Sequence, residues 1–175
     1  MGRGFCALEV LGVDADTLAG RLLEAVERAK ERLEECPSGD AELCRMLRRR
    51  LDELLGASRL AITPALVVDE EGETVNAFYV EGRTGDTGWI VFSPHTLADP
   101  DYVAHILLHE LVHALGLENE DETEALALFA ENQIDIPEPP PPVREAEHKL
   151  RRASCMLTEQ EITSPDITVL IVEAR

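Results

Sequence analysis

The residues with the clearest chemical meaning are His109-Glu110-Leu111-Val112-His113, an HExxH pattern set in the apolar run Ile106-Leu107-Leu108 and Ala114-Leu115-Gly116. On a helix, residues four apart stack on one face, so both imidazoles can grip one metal ion while Glu110 leans toward its open coordination position. The chemistry expected of such a group is metal-assisted hydrolysis, with zinc as the ion and Glu110 as general base.

Such a site needs a helix held firmly in place, and the flanking sequence supplies one. Val103, Ile106, Leu107, Leu108, Leu111, Val112 and Leu115 provide a buried face. Asp99-Pro100-Asp101 forms an N-terminal stop and Gly116 a C-terminal one. The chain of 175 residues is expected to form one catalytic domain over 1–136, a Pro-rich extended linker at 137–142, and a helix and strand over 143–175 that pack back on it, in reach of the cleft. A folded-back segment could hold the site latent, with Cys155 or an acid near the metal.

The charge of −19 repels phosphate, which argues against nucleic acid and anionic membrane as partners, and no apolar run is long enough to span a bilayer. A soluble, cytoplasmic, acidic protein is the expectation. Arg48-Arg49-Arg50 reads as a solvated helix face among acids rather than a nucleic-acid patch. Cys6, Cys36, Cys44 and Cys155 show no CxxC pairing and are expected as buried free thiols, a Cys36 to Cys44 bridge being the alternative in a hyperthermophile.

Apolar periodicity predicts a strand over 5–13, helices over 14–35 and 40–55, then strands over 60–68, 74–80 and 89–92 as a small meander leading into the HExxH helix. A helix over 121–133, capped by Asp121 and Glu124, a helix over 143–157 and a strand over 166–173 complete the chain. The last strand has the N-terminal strand or a free edge of the meander as its candidate partners.

The order Val75-Asn76-Ala77-Phe78, a Gly-rich loop, the strand Trp89 to Ser93, a short helix near His95-Thr96-Leu97 and the HExxH helix resembles the catalytic segment of the gluzincin metallopeptidases. The resemblance covers residues 68–130. It is strongest to the HtpX and CAAX-protease branch, whose members are membrane-integral. Since this chain has no apolar run of that length, it resembles a minigluzincin, a small soluble version of that scaffold. The fold implied is α+β and zincin-like, a small, mostly antiparallel sheet packed on the HExxH helix and a following glutamate helix.

The resemblance implies a third metal ligand from that next helix, in an ExxA context that both Glu124 and Glu122 satisfy. Glu124 is favoured because it leaves more chain for the reversal after Gly116 and shares a helix face with Ala125, Leu128 and Phe129. The aspartate that the family places after this motif is missing, so no usual partner for a ligand histidine is visible. A metzincin pattern would need a third ligand at Asn119, whose neutral amide suits a helix end better. Implied with the fold are one zinc ion held by His109, His113 and Glu124, Glu110 as proton carrier, and a peptide or unfolded-protein substrate laid along 74–80 against Asn76, Ala77 and Phe78. His105 is expected to be packed near the site, and Tyr79, Tyr102 and His148 stay open as oxyanion stabilisers. The alternative function is a noncatalytic zinc-stabilised binding or regulatory module.

Overall fold

The computed structural model describes residues 5–36, 41–82, 87–130, 136–162 and 167–173. Residues 83–86 of the Gly-rich loop and the end of the helix expected over 121–133 lie outside these.

Helix α1 (Cys6–Leu11) replaces the strand expected over 5–13. Cys6, Ala7, Val10 and Leu11 fall at helical spacing on one side and pack into a small cluster with Leu66, Leu150 and Leu157. Gly12, at φ +69°, closes the helix in a left-handed conformation that other residues adopt at a cost. Helix α2 (Ala15–Glu34) starts at Asp14, whose side chain accepts a 2.7 Å hydrogen bond from the Thr17 N–H. Helix α3 (Ala41–Gly56) follows.

The expected strand over 60–68 is two strands, β1 (Leu60–Ile62) and β2 (Leu66–Val68), in different sheets. Pro64 lacks an N–H and cannot continue a ladder. Its carbonyl instead accepts from Ala7, while Thr63 donates to Phe92. The expected strand over 74–80 also splits, at Asn76, into β3 (Thr74–Val75) and β4 (Ala77–Val80). With β5 (Trp89–Phe92), these elements are not a meander. With two strands from the C-terminal part of the chain, β6 (Met156–Thr158) and β7 (Leu170–Val172), one sheet has the order β4-β5-β1-β7 and the other β3-β2-β6.

Both sheets are mixed: β1 runs parallel to β5 and β2 parallel to β6, while the remaining pairs are antiparallel. A 3₁₀ turn at Pro94–Ala98 leads into α4 (Pro100–Ala114), and α5 (Glu120–Ala130) follows. Helix α6 (Pro141–Arg152) takes Pro141 and Pro142 into its first turn, where the missing N–H groups cost nothing. The segment ends with β6 (Met156–Thr158), α7 (Glu159–Ile162) and β7 (Leu170–Val172), which pairs antiparallel with β1. The architecture is α+β, and no helix among the described residues is long and apolar enough to cross a membrane.

The main core lies between α2, α3 and α4 on one side and β1 and β5 on the other, and aliphatic side chains and Phe92 fill it. The cysteines are not free. Cys6 pairs with Cys155 and Cys36 with Cys44, which overturns the expectation of buried thiols. Of the arginines of α3, Arg48 pairs with Glu34 and Asp52 and Arg50 with Glu53.

The two bridges close loops of very different length, with separations of 149 and 8 residues. Loop-closure entropy assigns about 5 kcal/mol to the first and about 2.5 kcal/mol to the second. In thermal unfolding, replacing Cys6 and Cys155 by serine should lower Tm by about 10–20 °C, and replacing Cys36 and Cys44 by about half that. Equal losses from the two pairs would contradict this ranking.

Candidate metal and hydrolytic site

Helix α4 carries the site and is buried on nearly every side, with Val103, Ala104, Leu107, Leu108, Leu111 and Val112 all in the core. It is fixed at its start by Asp99, whose carboxylate accepts from the N–H groups of Asp101 and Tyr102. Arg28 and Arg32 of α2 both reach Asp101, and these guanidinium groups, Arg28 first, hold its carboxyl below the usual range. At the other end Gly116, at φ +107°, turns the chain sharply. Asn119 then caps α5 by accepting from the Glu122 N–H, so Asn119 opens a helix.

This short reversal decides which acid meets the histidines. Glu120 places its two carboxylate oxygens 3.0 Å from His109 Nε2 and 3.0 Å from His113 Nε2. Glu124, the acid expected there, lies one turn further along, behind the His109 ring. Its Oε2 is 2.8 Å from His109 Nδ1 and its Oε1 is 2.5 Å from His105 Nε2. The Nδ1 contact is close but poorly aligned for a hydrogen bond, and this buried nitrogen has no better partner among the described residues. Glu122 is exposed. The phase of α5 explains the difference: Thr123, Ala127 and Ala130 are its buried residues, while Ala125 and Phe129 face out.

The two imidazoles meet edge to face at 4.9 Å. His113 donates from Nδ1 to the Leu117 carbonyl at 2.8 Å, which leaves its Nε2 as the free lone pair. His109, Glu110 and His113 group their donor atoms within 4.8 Å, a spacing that could hold a metal ion. The donor set fits a divalent cation. Two imidazole nitrogens and a carboxylate converge, and each ring has its other nitrogen against an acceptor.

Glu110 is only 5% exposed and makes no hydrogen bond or ion pair to any described residue. Burial first, then the charges of Glu120 and Glu124, push its carboxyl up to about 8. Beside it the carboxylates of Glu120 and Glu124 crowd two histidines, an anionic arrangement that a cation would relieve.

A cleft of about 500 Å³ opens over Glu110 and His113, with Ala77, Phe78 and Leu117 among its walls. Strand β4 is the terminal strand of its sheet, so one edge of its backbone is unpaired by that sheet. Ala77 and Phe78 line this cleft, and Asn76 is not among its lining residues. It leaves the strand and enters a buried network, donating from Nδ2 to the Tyr102 hydroxyl at 3.0 Å and accepting at Oδ1 from His95 Nε2 at 2.9 Å.

Of the open oxyanion candidates, Tyr102 accepts from Asn76 and Tyr79 accepts a 3.0 Å hydrogen bond from Arg50, so neither bond uses the tyrosine O–H as donor, and Tyr79 lines the cleft. His148 is exposed on α6 and is not among the residues lining the cleft. Cys155 is bonded to Cys6, so it is not the metal-side thiol considered above. From the segment after the prolines, Glu159 alone lines this cleft among the described residues.

Sequence reasoning missed Glu120, and the signal that could have found it is the pair Glu120 and Glu124, four apart, just beyond the Asn119 cap. Compared with known family profiles, curated protein sequences and solved structures, the chain matches none.

Zinc titration should separate the roles of the acids. Glu120→Ala should weaken binding more than Glu124→Ala, for which a 10–100-fold loss is expected of a residue that orients a ligand, and Glu122→Ala should leave affinity unchanged. Equal affinity in Glu120→Ala and the parent would remove Glu120 from the site.

His95, which is buried beside Asn76, gives a pH prediction. Burial, helped by the Arg151 charge, lowers it to about 3 from an ordinary 6.5, so between those values the unfolded chain binds a proton that the folded chain refuses. Stability attributable to His95 is fully present above about pH 6.5 and falls by about 1.4 kcal/mol per unit as the pH drops toward 3. Urea unfolding at pH 7, 6 and 5 should show a shallower acid loss in His95→Gln; parallel slopes would rule this out.

Proposed function

We propose that the chain is a zinc-dependent peptidase of gluzincin type with a zincin-like fold, a member of the minigluzincin group that its sequence resembles. One observation carries the reading: a single carboxylate, Glu120, bridges the Nε2 atoms of His109 and His113, and a buried, unpartnered Glu110 stands beside them on the wall of a cleft. Supporting it, Glu124 occupies the place behind His109 where the resemblance lacked an aspartate.

In this proposal one zinc ion is held by His109, His113 and Glu120; when bound, it supplies polarisation of a carbonyl and acidification of a water. Glu110 accepts a proton from the attacking water at its carboxylate, holds it inside the cleft, and passes it to the departing amine. The peptide C–N bond breaks, and the products are a carboxylic acid and an amine. Glu124 orients His109 from behind and His105 orients Glu124.

An extended peptide, from an unfolded protein or free, would add along the open side of β4 through backbone hydrogen bonds, with Ala77 and Phe78 beneath it. Nucleic acid is not a partner in this proposal, because the net charge of −19 repels it. The cytosolic setting is kept in a form that tolerates two disulfides, as intracellular proteins of hyperthermophiles do.

With zinc added, the protein should cleave a denatured protein, and a chelator should stop cleavage reversibly. Glu110→Gln should lose about 100- to 10,000-fold in rate while keeping its circular dichroism and its zinc. Zinc uptake without turnover in the parent would instead favour a noncatalytic, zinc-stabilised module.

A further inference from the structure

The cleft over Glu110 has a charge pattern that its chemistry does not require. Glu81, just beyond the end of β4, Glu118 in the turn between α4 and α5, and Glu159 at the start of α7 all line it. They come from three separate parts of the chain. None makes an ion pair or hydrogen bond to a described residue, and among the described residues no lysine or arginine lines the cleft. Among those that do line it, His113 is the basic side chain, with Nδ1 on the Leu117 carbonyl and Nε2 at 3.0 Å from Glu120.

Acids on other faces are matched in part, Glu24 and Asp101 with Arg28, Glu34 with Arg48, Glu53 with Arg50 and Glu147 with Arg151, while others, such as Glu70 and Glu71, are simply exposed. What sets the cleft apart is that acids from three separate parts of the chain line one cavity together. A second observation points to an occupant. Glu110 is a polar side chain with 5% exposure, unpartnered and facing the same cleft.

The same cleft is lined by apolar side chains, Val75, Ala77, Phe78 and Leu117 among them. An apolar floor with an anionic rim complements an amphipathic cation, whose methylene stem lies on the floor while its head meets the carboxylates. An acidic side chain would meet the same rim with like charge.

We propose that the cleft selects peptides carrying arginine or lysine next to the bond to be cleaved, with Glu81, Glu118 and Glu159 as the specificity-determining residues. This rests on the peptidase reading for its reaction and not for its binding. The rim would act partly by steering, so selectivity should weaken as salt rises.

The test uses the full chain with zinc and peptides of one sequence in which a single arginine, or its neutral isostere citrulline, is scanned through the positions around the cleaved bond. At low salt the arginine peptide should be favoured in kcat/KM by roughly tenfold or more. Combining Glu81→Gln, Glu118→Gln and Glu159→Gln should bring that ratio close to one. The same peptides are also titrated by fluorescence anisotropy into the parent and Glu110→Gln.

Equal cleavage of the arginine and citrulline peptides overturns the proposal and leaves the peptidase reading standing. Selective binding of the arginine peptide, lost in the triple variant, without cleavage by the parent supports the rim's selectivity and sinks the peptidase reading instead. Replacing Glu70 and Glu71, exposed in the turn before β3, by glutamine is the control for net charge. If it lowers the ratio as much as the rim substitutions, or if no peptide is bound or cleaved, the proposal fails.

Discussion

A helix buried on almost every side must here present three ionisable side chains at one end, and the structure is arranged around that demand. Helix α4 touches α2, α3, α5 and β4, so its apolar residues are shared among several partners. Desolvation would expel Glu110 if the helix could slide or roll. The Asp99 cap and the paired guanidinium groups of Arg28 and Arg32 on Asp101 oppose such movement at the far end from the histidines. Rigidity at the N-terminus therefore serves geometry at the C-terminus. It also allows a carboxyl to sit in an apolar wall without a partner, a state that costs free energy and persists only where the surroundings are fixed.

The division of labour between Glu120 and Glu124 follows from helix geometry alone. Four residues apart on α5, they rise one above the other on a single face, about 6 Å along the axis. The His109 ring stands between them, so one acid reaches its Nε2 and the other its Nδ1. Had the chain taken another turn to reverse after Gly116, the pair would have slipped along α4 and neither contact would form. Gly116 and Asn119 thus act on the site without touching its reacting atoms.

The HExxH helix was legible in the sequence because period, caps and chemistry all agree there, and α2 and α3 were legible for the same reason of sustained period. The failures occurred where one residue overrides a pattern. Pro64 and Asn76 each interrupt an apolar run that reads as one strand, and the interruption sends its two halves into different sheets. Residues 5–13 are too few to separate a buried strand from a short helix by apolar content, although Gly12 is a helix-ending signal. The phase of α5 was misjudged because Phe129 was assumed to face inward, whereas the buried stripe is made of the small Thr123, Ala127 and Ala130. Small residues let α5 approach α4 closely enough for its acids to reach the rings. Cys36 and Cys44 are close enough in sequence to be weighed as a pair, but the Cys6 to Cys155 bridge had no sequence signature, since its partners meet only through the tertiary fold.

The segment after the prolines is part of the framework. It gives one strand to each sheet, β6 beside β2 and β7 beside β1, and Cys155 ties it to the first helix. Strand β1 is thereby flanked on both sides, by β5 and by β7, and its three residues are wholly buried. A chain of net charge −19 strains against compaction, because its acids repel one another more in the folded state than in an expanded one. Closing a loop across nearly the whole sequence limits how far the unfolded chain can expand to relieve that repulsion. The Cys6 to Cys155 bridge thus offsets the electrostatic consequence of the acidic composition.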